Sequence, residues 1–330
     1  MMKCIICGKN EAYKHGMCSS CLADQIRLQS SKMEITVCPK CGALKINKKW
    51  YYNDTENVLK RQALGHINID NGNVESINNL ELSDDRIIIN IDVNSKTLGM
   101  VNKTAEIDLK ILKESCPVCN KVTGSYYEGI IQLRTFSTEF DSRLNDAKDL
   151  IVSYVRDLNR DNPNSFISRI ENKREGIDIY LGRKEDAIKI DKLLNSMYFT
   201  SMKQTKSLAG RKDGKDIFRY THLIRILDVT KGSILFDKKY YMVTSISANS
   251  IGIMDLDTQT TENITQKEFY RRNFNIIRKE PLIDKFIVIS TDGGESQIMN
   301  SETYKIITVR QVFDSKEVSL YKYRDRYYSM

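Results

Sequence analysis

The sequence predicts a multidomain α+β protein: cysteine-built modules at the N-terminus carrying a β insertion, an αββαββ middle domain, and a C-terminal region of small β-barrel type, SH3-like or OB-like. Three observations predict it. All eight cysteines fall into Cys-x-x-Cys pairs. Two stretches near the middle carry apolar residues at helical spacing, each followed by two β-rich runs. The final third holds only short alternating runs parted by turn residues.

The cysteine pairs are Cys4/Cys7, Cys18/Cys21, Cys38/Cys41 and Cys116/Cys119. Two residues between thiols let one tight turn aim both sulfurs at a single point. Two such turns facing each other make a tetrahedral four-thiolate cage of treble-clef or ribbon type for zinc. Four pairs therefore imply two zinc ions. A closed cage leaves no position for water, so both ions are expected to be structural. The expected partition is Cys4/Cys7 with Cys18/Cys21, and Cys38/Cys41 with Cys116/Cys119; an interleaved cross-brace is the alternative. A redox dithiol needs one pair opening a helix in a βαβ unit, and four pairs in one chain argue against it. Residues 1–48 show little apolar periodicity. Metal is expected to replace most of the core there, contributing about 10–16 kcal/mol to folding.

Further along, Asp54 is expected to cap a helix over 54–64, since its carboxylate can accept early backbone N–H groups. Alternating runs at 86–93 and 103–111 read as strands, and another strand, 124–134, follows the last cysteine pair. Residues 49–115 thus read as a β-rich insertion in a zinc-binding domain spanning 1–135. In the middle domain, 136–227, Leu144, Ala147, Leu150, Ile151, Tyr154, Val155 and Leu158 share one face of a helix over 140–160. A hairpin follows with its turn at 172–175. A second helix, 185–197, is expected to bury Ile188, Ile190, Leu193, Leu194 and Met197. Strands at 199–208 and 217–227 are joined by a polar loop, giving an antiparallel sheet with both helices on one face. Short strands from 233 onward make a barrel domain, 228–330, of one unit or two.

The chain has 330 residues, with 51 Lys and Arg against 43 Asp and Glu, a net charge of +8. That balance points to a polyanionic partner, nucleic acid first. Residues 1–48 are themselves basic, with eight Lys or Arg against three acids. Neither a secretory h-region nor an apolar run of roughly 18 residues is seen, so a cytoplasmic monomer with reduced thiols is expected.

Enzymatic signatures are missing. No His-x-Glu precedes the Pro-containing cysteine pairs, and neither glycine-rich phosphate motif occurs. His222 reads as a strand-face residue, and Asp255 as part of a solvated turn. The candidate RNA contacts are Arg134, on the polar face of the strand 124–134, and the basic loop residues Arg211, Lys212, Lys215, Lys238, Lys239, Arg271 and Arg272. The tail from Tyr321 to Tyr328 interleaves aromatics with cations, as a single-strand stacking surface would. An edge strand with one tyrosine face buried explains it more simply.

Together, the four cysteine pairs and the segment Ser125-Tyr-Tyr-Glu-Gly-Ile-Ile-Gln-Leu-Arg134 resemble the nonsense-mediated mRNA decay protein three family, in particular its archaeal members. Phe218-Arg-Tyr-Thr-His-Leu-Ile-Arg225 and Lys231-Gly-Ser-Ile-Leu-Phe236 are looser matches. The resemblance implies a zinc module, a domain similar to a eukaryotic-type large-subunit ribosomal protein, and a β-domain similar to translation factor five-A. It implies a non-catalytic factor on the large ribosomal subunit, touching rRNA and ribosomal proteins during late maturation, quality control or recycling. Two departures limit it. The sequence stops at Met330 without the family's long acidic extension, so nuclear export is not carried over. The loop 248–250 also lacks the modified-lysine motif of factor five-A. The alternatives are a zinc-ribbon protein of transcription and an RNA-modifying enzyme.

Overall fold

The computed structural model describes residues 2–70, 72–137, 141–212 and 214–330. The chain divides into two compact units, Met1–Gly124 and Ser125–Met330.

The first unit runs α1 (Ser19–Asp24), β1 (Leu28–Ser30), β2 (Met33–Val37), β3 (Leu44–Ile46), β4 (Lys49–Tyr51), α2 (Thr55–Leu64), β5 (Ile67–Ile69), β6 (Gly72–Leu82), β7 (Arg86–Ser95), β8 (Gly99–Lys113) and α3 (Pro117–Thr123). Its main sheet has the order β4-β3-β2-β8-β7-β6, with β2 parallel to β8. Strict alternation along β7 sends Ile87, Ile89, Ile91 and Val93 to one face, where they pack with Met33 and Ile35 of β2 and Leu59 and Ala63 of α2. The stretch expected as an insertion is therefore woven into the same sheet as the third cysteine pair. The core-poor stretch is therefore confined to the residues ahead of Ile26, where Cys4, Cys18 and Leu22 are the buried apolar side chains among the described residues. The helix at 54–64 forms, but Asp54 does not cap it. Its backbone is left-handed (φ 55°), and its carboxylate instead accepts from the Asn57 side-chain amide at 2.5 Å.

The second unit begins with β9 (Gly129–Thr135), α4 (Ser142–Asp161), β10 (Ile167–Lys173), β11 (Gly176–Leu181), α5 (Lys184–Met197), β12 (Thr200–Lys212) and β13 (Lys215–Ile226). Their sheet has the order β10-β11-β9-β13-β12. Two expectations change here. The strand after the last cysteines, β9, is the centre of this sheet, so the first unit ends at Gly124 rather than at residue 135. The sheet is also mixed, because β13 runs parallel to β9. The reason is burial: in the centre, Ile131 and Leu133 are covered by Leu144, Ala147 and Ile151 of α4 and by Ala187, Ile190 and Leu194 of α5.

The face of α4 is as read from its spacing, and Asp141 caps the helix by accepting from the Arg143 N–H at 2.9 Å. The α5 face is rotated from expectation: Ile188 and Met197 are 47% and 55% exposed. Small Ala187 sits over Gly129 instead, where an added Cβ would lie 3.6 Å from the alanine Cβ. The polar loop expected at 209–216 is ladder almost to its end, with Lys212 paired to Lys215 and a bulge between Leu208 and Gly210. Because β13 meets β9 only from Tyr220 onward, the β12–β13 hairpin continues past the sheet as a two-stranded ribbon.

The remainder comprises β14 (Ile234–Asp237), β15 (Lys239–Ile246), β16 (Ser250–Asp255), β17 (Thr261–Thr265), α6 (Gln266–Arg272), β18 (Asn275–Arg278), β19 (Leu282–Asp292), β20 (Glu295–Asn300), β21 (Ile306–Val309), β22 (Glu317–Tyr323) and β23 (Arg326–Tyr328). It resolves into two five-stranded sheets, β17-β16-β15-β14-β18 and β21-β20-β19-β22-β23. The first shares a core with Phe199 and Leu227 of the middle domain, and the second has its own around Phe286, Ile298 and Leu320. Tyr328, Tyr321 and Tyr323 pack against Ile234, Met242 and Met254 of the first sheet. The aromatic tail is thus an edge hairpin with Tyr321, Tyr323 and Tyr328 turned toward that sheet. Among the described residues no helix is long and apolar enough to cross a membrane.

Candidate metal centres

Each cysteine set is built from one knuckle and one helix start. In the first, Gly8 closes the knuckle at φ +68°, donating its N–H to the Cys4 carbonyl at 2.8 Å. A side chain at that φ is strained, which is why glycine follows Cys7. Cys18 then precedes α1 in extended conformation and Cys21 lies within the helix. In the second set, Gly42 repeats the turn at φ +74°, with its N–H on the Cys38 carbonyl at 2.9 Å. Cys116 caps α3, its sulfur accepting from the Cys119 N–H at 3.4 Å, and Pro117 opens the helix.

The sulfurs of Cys4, Cys7, Cys18 and Cys21 lie within 4.8 Å of one another, as do those of Cys38, Cys41, Cys116 and Cys119. The Cys7–Cys18 and Cys41–Cys116 sulfurs are 3.8 and 3.6 Å apart. A tetrahedron with Zn–S bonds of about 2.3 Å has sulfur–sulfur edges of roughly 3.8 Å. All eight thiols are free. The consecutive partition is the one the fold brings together, and each set could hold one zinc ion.

Backbone dipoles prepare these sulfurs for a cation. N–H groups of Cys7 and Cys18 hold the Cys4 thiol down to about 6, and those of Asn10 and Lys9 lower Cys7. At Cys38 burial is the largest influence and opposes ionisation. The N–H groups of Cys116, Lys40 and Cys41 outweigh it and bring the thiol to about 6. The last thiols to ionise are held up instead: Cys21 to about 12, by its hydrogen bond to Cys18 and then by burial, and Cys41 and Cys119 upward by burial. Four thiolates cannot coexist at this spacing without a divalent cation among them. Around the second set pack Ala43, Val118, Tyr52 and Trp50, the single tryptophan of the chain.

Comparison with known proteins places the whole cysteine module in one family. Residues 4–124 match the model for "NMD3, N-terminal domain", and residues 126–226 match "NMD3, second domain". The chain belongs to the NMD3 family. A relative of this family, the 60S ribosomal export protein NMD3 of Saccharomyces cerevisiae, is 20% identical over 221 residues. The match covers 63% of this chain and 41% of the yeast protein, so the chain spans about two fifths of that relative's length. The two NMD3 models meet where the two compact units do, at Gly124 and Ser125.

The basic residues singled out from sequence separate into two groups. Arg134 is buried: it pairs with Asp178 at 2.7 Å and donates to the Leu133 and Ile177 carbonyls. It is a core ion pair and is withdrawn from any surface. Arg272 is likewise consumed, pairing with Asp237 at 2.9 Å and Glu262 at 2.6 Å while stacked near Tyr241 and Phe274. Lys239 is held by Asp255 at 2.8 Å. Asp255 is no solvated turn residue, since it is buried and also accepts from the Asp257 and Thr258 N–H groups. Lys239 is nonetheless exposed, as are Lys238, Arg271 and Arg211, the last bonded to Asp216 at 2.6 Å across the ribbon. Lys212 and Lys215 stand at the ribbon end by backbone, and their side chains lie outside the described part of the structure. The edge strand β12 adds Lys203 and Lys206 within the sheet, both exposed and overlooked in the sequence because they precede the expected loop. His222 is a buried strand residue, as read, with Nδ1 2.5 Å from the Asp191 carboxylate.

Proposed function

We propose that this chain is a non-catalytic factor of the large ribosomal subunit, contacting rRNA and ribosomal proteins in late maturation, quality control or recycling. The observation that carries the reading is the pair of NMD3 family matches spanning residues 4–226 but for one residue between them. Two structural zinc ions on the cysteine sets make the N-terminal module a rigid platform of treble-clef or ribbon type. Basic positions at separated points, Arg211, Lys212 and Lys215 on the ribbon, Lys238 at a turn and Arg271 on α6, take phosphates. Several modest electrostatic contacts on one chain add up to high avidity. The chain acts as a cytoplasmic monomer, and its last two sheets supply the β-domain similar to translation factor five-A. Sucrose-gradient sedimentation tests this: the zinc-loaded protein co-migrates with large subunits at low salt. Absence from that fraction, with the protein folded, rejects the reading.

A further inference from the structure

A cavity of about 620 Å³ lies on the β19–β23 sheet, and none of the positions proposed above to hold RNA lines it. Its cations are Lys305, Arg310, Lys322 and Arg326, against Asp284 and Asp325. Asp284 is already engaged, accepting from the Tyr327 hydroxyl at 2.8 Å with the Lys322 ammonium 3.6 Å away. Arg310 is 93% exposed with Glu295 at 3.5 Å, and Arg326 is 68% exposed with Asp257 at 3.9 Å. Exposed ion pairs of that kind contribute little, so both guanidinium groups are free to trade a carboxylate for a phosphate.

The interior of the cavity is of a different kind. Tyr327 is pinned at its hydroxyl by Asp284 and at its ring by Phe286, edge to face at 4.9 Å. Ile307 and Val309 of β21 form an adjoining apolar wall. A fixed aromatic ring and an apolar wall beneath a cationic rim suit one flat, uncharged ring flanked by anions, and a space of this volume admits a base or two but no duplex. We propose that this cleft binds single-stranded RNA, with one base against Tyr327 and flanking phosphates on Arg310 and Arg326. The inference deepens the ribosomal reading by taking RNA as the polyanion, yet its test needs no ribosome.

The full-length, zinc-loaded chain is titrated into fluorescein-labelled oligouridine and, separately, into duplex RNA of the same length, with anisotropy read at several salt concentrations. Single strand is expected to bind more tightly than duplex. Arg310→Glu with Arg326→Glu should weaken it at least about ten-fold, and the salt slope should fall by roughly 1.4, at about 0.7 per phosphate. Both positions are exposed, so the double variant keeps its fold. Tyr327→Leu should cost about five- to hundred-fold, as loss of one stacked base does, while Tyr327→Phe retains most of the binding. Equal affinity for duplex, or unchanged single-strand affinity in the double variant, overturns the proposal. Wild-type protein that pellets with large subunits but ignores oligouridine sinks the cleft and leaves the ribosomal reading standing.

Discussion

Arg134 and Asp178 meet 2.7 Å apart with almost no exposed surface. Removing one partner of such a pair strands the other charge in a poor solvent. Arg134→Ala is expected to cost about 3–5 kcal/mol of stability, and replacing both by apolar residues much less; urea unfolding of the two variants checks this. The cysteines give a sharper reporter. Cys116→Ser removes one ligand from the second set alone, so bound zinc should fall from two ions to one per chain by elemental analysis. Trp50 packs against that set, so its fluorescence should shift in Cys116→Ser and stay unchanged in Cys18→Ser. Acid acts elsewhere. The hydrogen bond from Lys239 holds the Asp255 carboxyl below the usual carboxylate range. A depressed carboxyl stabilises the fold above its unfolded value of about 4 and loses that contribution as pH falls through the lower folded value. Urea melts should therefore show wild type ahead of Lys239→Met by a constant margin above about pH 5, with the gap closing at lower pH. A gap that widens in acid would contradict the pairing.

At the level of elements, the buried face of α4 could be read from its sequence, and that of α5 only in part, since Ile190 and Leu194 are buried as expected while Ile188 and Met197 are not. In α4 the apolar positions recur along one stripe, and Leu144, Ala147, Ile151 and Val155 are the ones buried. In α5 the apolar residues spread over a broad arc, and the close approach at Gly129 decides which part faces inward. The ribbon was misread for a related reason. Its residues are polar, and polarity marks a loop as readily as a strand exposed on both faces. With no core to hold, the ribbon should be dispensable for folding. Excising residues 208–218 and closing Ser207 to Arg219, which already face each other in the ladder, through an Asn-Gly turn should leave the melting temperature in place. The same variant should bind large subunits more weakly, with a shallower salt dependence because fewer phosphates are contacted. Gradient sedimentation over a salt series measures both.

Across the whole molecule, all eight cysteines belong to the first unit, and among the described residues the second buries four hydrophobic clusters without one. Chelation should therefore erase hydrogen-exchange protection around both cysteine sets while leaving α4 and β9 protected. Loss of protection in both units together would mean that the metal supports more than its own module. Read alone, the sequence determined that the eight cysteines form four Cys-x-x-Cys pairs, enough for two four-sulfur sets, and it pointed to the family, because Cys-x-x-Cys geometry is local and survives in the order of a few neighbouring residues. Only the tertiary structure decided that β9 belongs to the second unit, that Arg134 is a core ion pair, and that the aromatic tail folds inward. Burial depends on which distant segment lies alongside, and no short stretch of chain carries that information.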